Sequence, residues 1–237
     1  LNLVLFDLDG TLTDTTGVDD ACFAQAISEV AGVAGFSTDW SGYAEATDEG
    51  LTHEICRRAP SEGGLGRSPT DAEVCGIRAR FVELLARSAA EEPGRFRPVA
   101  GADRLVGRLD AEVAVGIATG AWRESAMIKL RAAGMAGLAE IPGAFADRGL
   151  AERARIVSVA AARAAARAGV SAFDGAVYVG DGPWDVRAAR DLGMGFVGVG
   201  TGRTRERLLA AGATVVLPDF ADLDEAVAAI SRAVAAR

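Results

Sequence analysis

Asp7, Asp9 and Asp14 fall within eight residues directly after the apolar run LNLVLF. A buried strand that ends in so much negative charge is costly unless something positive belongs at that point. Three other places in the chain could share the same chemistry. AVGIATGAW runs out in Thr119 and Gly120, AERARIVSVAA opens with Arg153 and Arg155, and VYVGDGPWD brings Asp181 and Asp185 to the end of another apolar run. Singly each is ordinary, because an Asp at a strand end more often caps a helix and Thr-Gly is a common turn. Their meaning depends on whether the fold gathers them.

Apolar runs with β-branched residues at 3–6, 112–118, 176–179, 195–199 and 214–217 predict strands. Helical patterns fill most of the gaps, at 122–133, 150–168, 184–192 and 203–210, with a final amphipathic segment over 222–236. Such alternation with short loops predicts an α/β fold, a doubly wound parallel sheet with a Rossmann-like core and helices on both faces. Ligands in such sheets bind beyond the carboxyl ends of the strands, which is where all four candidate segments lie. The stretch 15–97 differs. It suggests helices over 18–33, 42–59 and 70–92, interrupted by the loop PSEGGLG and closed by Glu92-Pro93-Gly94, with no convincing strand. Residues 1–14 and 98–237 are therefore expected to form the core, and 15–97 an all-helical cap over its active edge.

In order, spacing and residue types the sequence resembles the haloacid dehalogenase superfamily of phosphohydrolases with an α-helical cap, the phosphoglycolate phosphatase / β-phosphoglucomutase-like subfamily. DLDGTLTD is similar to the family's first motif, ATG to its second and GDGPWD to its fourth. The resemblance implies a nucleophile at Asp7, which would form an aspartyl-phosphate. It implies a general acid–base at Asp9, which would protonate the leaving oxygen and then activate water. Residues two apart leaving a strand point the same way, as that pair requires. It further implies Mg²⁺ held by Asp7, the backbone carbonyl of Asp9 and Asp181, with Asp185 orienting that site. The cation would be the positive partner that the carboxylate cluster lacks. Thr119 and the N–H of Gly120 would bind a phosphoryl oxygen. Arg153 would stand where the family's third motif usually has Lys, a departure that keeps the charge but changes its geometry; Arg155 is the competing candidate.

The implied activity is hydrolysis of a small phosphorylated metabolite. A phosphosugar mutase of the same subfamily and a catalytically degenerate phosphate-ligand-binding protein stay open beside it. The presence of Asp9 implies phosphate-ester chemistry, because the dehalogenase branch lacks that residue. The phosphonate-cleaving branch uses a cap lysine, whereas the one Lys here, Lys129, falls in a predicted core helix.

Composition narrows the rest. A net charge of −8 argues against nucleic-acid or anionic-membrane partners. Cys22, Cys56 and Cys75 have no metal-type spacing, which points to a reduced, cytoplasmic setting. Nothing resembles a signal peptide, and no apolar stretch is long enough to span a bilayer. The chain starts at Leu1, directly in a strand, so a few terminal residues are expected to be missing. GVGTGRT at 198–204 lacks the third Gly and the acidic partner of a dinucleotide loop and reads as a structural turn. His53 reads as a surface or internally satisfied cap residue rather than a ligand, and Trp122 and Trp184 as packing beside the site, with substrate contact the alternative. Arg57, Arg58 and Arg67 read equally as a solvated face or as a reception for an anionic substrate.

Overall fold

A computed structural model describes residues 1–109, 113–147 and 149–235. Its centre is β1 (Asn2–Phe6), whose side chains from Leu3 onward are buried whichever way they point. Val4 and Phe6 enter one hydrophobic cluster, Leu3 and Leu5 another, as the two-residue period of a strand requires. A strand covered on both faces needs neighbours on both edges. It finds β4 (Val113–Ala118) on one side and β6 (Ala176–Gly180) on the other, both parallel. β5 (Gly143–Ala144) extends the sheet beyond β4, while β7 (Gly195–Val199) and β8 (Val216–Leu217) extend it beyond β6. The order is β5-β4-β1-β6-β7-β8, all parallel. The chain therefore winds outward from β1 in both directions, and the carboxyl ends of β1, β4 and β6 meet at the switch point.

Helices cover both faces. α6 (Arg153–Ala168) and α7 (Pro183–Asp191) bury Ile156, Val157, Ala160 and Ala189 against Leu3, Leu5 and Tyr178. On the other face α4 (Ala102–Arg108), α5 (Arg123–Ala132) and α9 (Leu223–Ala235) pack Leu105, Leu130 and Ile230 over Val4, Phe6 and Val177. α8 (Gly202–Ala210) follows β7.

The helical insertion leaves the core through β2 (Thr13–Asp14) and returns through β3 (Arg97–Pro98), a short antiparallel pair. Between them run α1 (Thr16–Ala31), α2 (Asp48–Arg57) and α3 (Asp71–Glu91). α3 starts at a capping box in which Thr70 and Glu73 satisfy each other's backbone N–H groups. Val18, Phe23, Ile27, Phe81 and Leu85 form the insertion's own core, and Trp122 of the sheet domain completes it. The helix expected over 42–59 begins only at Asp48, because Thr47 caps it by accepting from Gly50 N. Positions 112 and 236, expected to begin a strand and to fall in the last helix, lie outside the described residues.

Candidate active site

After β1 the chain folds back on itself, with the N–H groups of Thr11, Leu12 and Thr13 all directed at the Leu8 carbonyl. This turn leaves the Asp7 side chain 3 % exposed beneath the sheet's edge. Gly10 sits in the turn at φ 73°, and a Cβ there would lie 2.0 Å from Asp181 Oδ2. Only glycine lets the loop after β1 and the loop after β6 close together. Carboxylate oxygens of Asp7, Asp181 and Asp185 consequently all fall within 4.8 Å of one another.

β4 delivers Thr119, whose N–H bonds to Ala144 O at 3.1 Å and whose hydroxyl lies against the Asp7 carboxylate. At Gly120 a Cβ would meet Ala46 O at 2.6 Å and Arg153 Nη2 at 2.8 Å. The insertion's chain at 46–48 thus rests directly on the sheet domain, and Asp48 N donates to Gly120 O at 2.8 Å.

Arg153, the first residue of α6, is buried, with Nη1 3.0 Å from Asp7 Oδ1, Nε 3.5 Å from Asp185 Oδ1, and Nη2 donating to Ala46 O at 3.0 Å. Arg155 points away and is exposed. Asp185, wholly buried, accepts from Gly182 N and from the Tyr178 hydroxyl, both at 3.0 Å. The same hydroxyl lies 2.7 Å from Ala118 O, so its single proton is shared between the carboxyl and that carbonyl. Asp185, Tyr178 and Arg153 brace one another under the strand ends.

The charge balance is unfavourable without a further cation. Burial raises the Asp7 carboxyl although Arg153 opposes it, and burial likewise pushes Asp185 up to about 7 against the same Arg. Asp181 is lifted well above the carboxylate range by burial and by Asp7 and Asp185. Its side chain makes no hydrogen bond or ion pair among the described residues, and it faces the cavity. A carboxylate with no internal partner beside two others is the donor set that a hard divalent ion requires.

A second charged cluster adjoins the first. Lys129 of α5 is fully buried, and its Nζ contacts Asp9 Oδ2 and lies 2.6 Å from Asp19 Oδ1 in the first turn of α1. Burial works against its charge, but Asp19, Asp9 and Asp48 together outweigh that and hold the ammonium protonated. The sequence alone predicts no more for Lys129 than a place in a core helix. The missed signal is helical spacing: Lys129 lies three residues after Ala126, beside Leu130 on the buried face of α5.

Asp48 accepts from Trp122 N at 2.8 Å, and burial pushes its carboxyl up to about 7. A carboxyl raised from 3.8 in the folded state favours folding at low pH and loses that contribution as pH rises through about 7. Asp48→Asn keeps an acceptor for Trp122 and removes the charge. Its stability advantage over wild type should therefore grow between pH 4 and 7 and then level off at about 4 kcal/mol. Thermal unfolding across that range measures it, and a pH-independent difference would refute the charge argument.

Between sheet domain and insertion lies a cavity of about 410 Å³. Asp7, Asp9, Thr119, Gly120, Arg153 and Asp181 all line it. Across from them stand Phe23 and Trp40, the latter donating its indole N–H to Asp20 at 2.7 Å. Burial pushes that Asp20 carboxyl up to about 6. The 198–204 turn leads into α8, whose Arg203, Thr204 and Arg207 also face the cavity. Trp184 lines it too, whereas Trp122 is buried in the insertion's core. Arg58 and Arg67 pair with Glu54 and Glu73 outside it, Arg57 is exposed, and His53 sits 3.7 Å from Glu49.

The model for haloacid dehalogenase-like hydrolases matches residues 1–193. A phosphoglycolate phosphatase of Rhodospirillum rubrum is 31% identical over 229 residues, which span 94% of this chain and 89% of that protein. Among solved structures, a hydrolase from Pseudomonas syringae superposes with a TM-score of 0.74 at 24% identity, covering 97% of this chain and 99% of its own. CbbY from Rhodobacter sphaeroides, solved in complex with phosphate, has a TM-score of 0.68 at 20% identity, covering 93% and 95%.

Proposed function

Because this chain belongs to the haloacid dehalogenase-like hydrolases, we propose that it is a Mg²⁺-dependent phosphatase that hydrolyses a small phosphorylated metabolite through an aspartyl-phosphate on Asp7. The observation that carries the reading is the convergence of Asp7, Asp9, Thr119, Arg153 and Asp181, from four separate segments, on one cavity. The phosphoglycolate phosphatase name of the relative and the phosphate bound to CbbY support it.

In the first half-reaction an Asp7 carboxylate oxygen attacks phosphorus, the bond from phosphorus to the ester oxygen breaks, and Asp9 gives that oxygen its proton. In the second, Asp9 takes a proton from water as the water oxygen attacks phosphorus; the bond to Asp7 breaks and phosphate leaves. Arg153, Thr119 and the N–H of Gly120 hold the phosphoryl oxygens, so that most of the catalysis is positioning and charge stabilisation. Asp7, Asp181 and the backbone carbonyl of Asp9 would hold Mg²⁺, which supplies the positive charge that lets a phosphate dianion approach the carboxylates. Asp185, with both oxygens engaged by Tyr178, Gly182 and Arg153, fixes the guanidinium in place. The insertion forms one wall of the cavity through Phe23, Trp40 and Asp48.

The test is phosphate release from a panel of small phosphorylated metabolites, with Mg²⁺ and with chelator. Release that chelator abolishes is expected, and the preferred compound names the substrate class. Release indifferent to chelator would overturn the metal. An isomeric phosphosugar without free phosphate would replace hydrolysis by the mutase, and binding without turnover would leave a binding protein.

A further inference from the structure

The mechanism above gives no role to Lys129, the buried ammonium that α5 holds beside the strand ends. An ammonium with no exposed surface is an expensive way to fill space between Ala126 and Leu130, where a leucine or methionine would pack without a charge. A purely architectural account is available: Lys129 ties α5 of the sheet domain to the first turn of α1 through Asp19. That account leaves its second contact unexplained. Nζ also meets Asp9 Oδ2, while Asp9 Oδ1 accepts from Thr15 Oγ1 at 2.6 Å. Thr15 Oγ1 is itself 2.7 Å from Thr13 Oγ1. Both oxygens of Asp9 are thus held, one by the sheet domain and one by the threshold of the insertion. The Asp9 side chain still keeps 21 % of its surface exposed and lines the cavity.

We propose that Lys129 is a positioning residue that aims the Asp9 carboxyl at the leaving-group oxygen, and that through Asp19 it makes this aim depend on how α1 is seated. The inference rests on the phosphatase reading and on Asp9 as its acid–base. Proton transfer falls off steeply when donor and acceptor leave hydrogen-bond reach. A mis-aimed Asp9 forces the ester oxygen to depart without its proton. That burden is heavy for an alkoxide and slight for a leaving group that is already a stable anion. A lysine that only braced the fold would show no such preference.

The experiment compares kcat and KM of wild type, Lys129→Met, Lys129→Arg, Asp9→Asn and the double variant D9N/K129M. The substrates are the alkyl phosphate selected by the panel and an activated phosphate, p-nitrophenyl or acetyl phosphate. For Lys129→Met the alkyl kcat/KM, which reports only the steps up to the aspartyl-phosphate, is expected to fall roughly 10²-fold and the activated-substrate kcat/KM by less than about fivefold. Lys129→Arg should recover much of the alkyl rate. D9N/K129M should be no slower than Asp9→Asn, because the lysine acts through that carboxyl. Equal losses of kcat/KM on both substrates, additivity with Asp9→Asn, or an unchanged alkyl kcat/KM would each overturn the proposal. If Lys129→Met does not fold, D19N/K129M removes the buried pair together and is measured in its place, with the same ratio expected. Failure of the wild type to release phosphate would remove the phosphatase reading itself, whereas an active wild type with substrate-blind losses removes only the role of Lys129.

Discussion

Asp7→Asn leaves the protein folded and lowers phosphate release by roughly four orders of magnitude or more. The amide is nearly the same shape as the carboxylate, and its oxygen can still accept from Arg153 Nη1, now 3.0 Å from Asp7 Oδ1. What it loses is nucleophilicity, since a neutral amide oxygen does not form the acyl-phosphate bond at a useful rate. The stability side of the argument points the other way. Burial raises the Asp7 carboxyl, so the site disfavours its charge when no cation is bound. A neutral residue relieves that penalty, while Asp185 still pairs with Arg153 at 3.5 Å. Thermal unfolding of the metal-free variant should therefore fall at or above wild type while activity is lost. Retained turnover would remove Asp7 as the nucleophile, and a variant that is inactive because it is unfolded would remove the electrostatic account.

Arg153→Met is expected to damage both fold and activity. It strips the guanidinium from Asp7 and Asp185 and withdraws a donor from the Ala46 carbonyl. Two buried carboxyls are left facing each other with no internal cation, an arrangement that costs about 3–5 kcal/mol. For a chain of this size that corresponds to a drop in Tm of roughly 10 °C. The contact with Ala46 also joins sheet domain to insertion, so the cavity wall loosens at the same time. Arg153→Lys keeps the charge but reaches with one ammonium where the guanidinium makes three contacts, and should lie between wild type and Met in both Tm and kcat. The measurement is thermal unfolding without metal beside kcat on the preferred substrate. A Tm within about 2 °C of wild type for Arg153→Met would show that the carboxyls find other relief, such as protonation.

The cluster at the strand ends was legible in the sequence because each piece of it is local. Asp7 and Asp9 follow a run that can only be a buried strand, and Asp181 and Asp185 flank the Gly-Pro opening of a helix. Alternating strands and helices then send all of these ends to one edge. The members that escaped detection are set by docking between distant elements. Lys129 meets Asp9 only because α5 lies beneath the turn after β1, across 120 residues of chain. Tyr178, three residues before Asp181, looks like an ordinary strand aromatic until Asp185 is found against its hydroxyl. β5 is two residues of Gly and Ala and carries no β-branched signal; its place on the sheet is given by pairing with Ile117 and Ala118. α4 is only seven residues long and follows a loop, too short for helical periodicity to stand out.

The seat of β1 between β4 and β6 has a consequence for the order in which the molecule can be completed. Its ladder partners are Val113–Ile117 on one side and Ala176–Val179 on the other. β1 is therefore finished long after it is made, because its second edge has no partner until about 173 further residues have followed. At the pace of translation that interval is roughly 10–35 s. During it, α1 and α3 can pair with each other through contacts much closer in the chain, while β1 waits with one or both edges open. Loop closure over such separations is slow. Asp7, Asp9 and Asp14 place charge at the tip of that apolar strand, and charge at an unpaired edge disfavours pairing with a stranger.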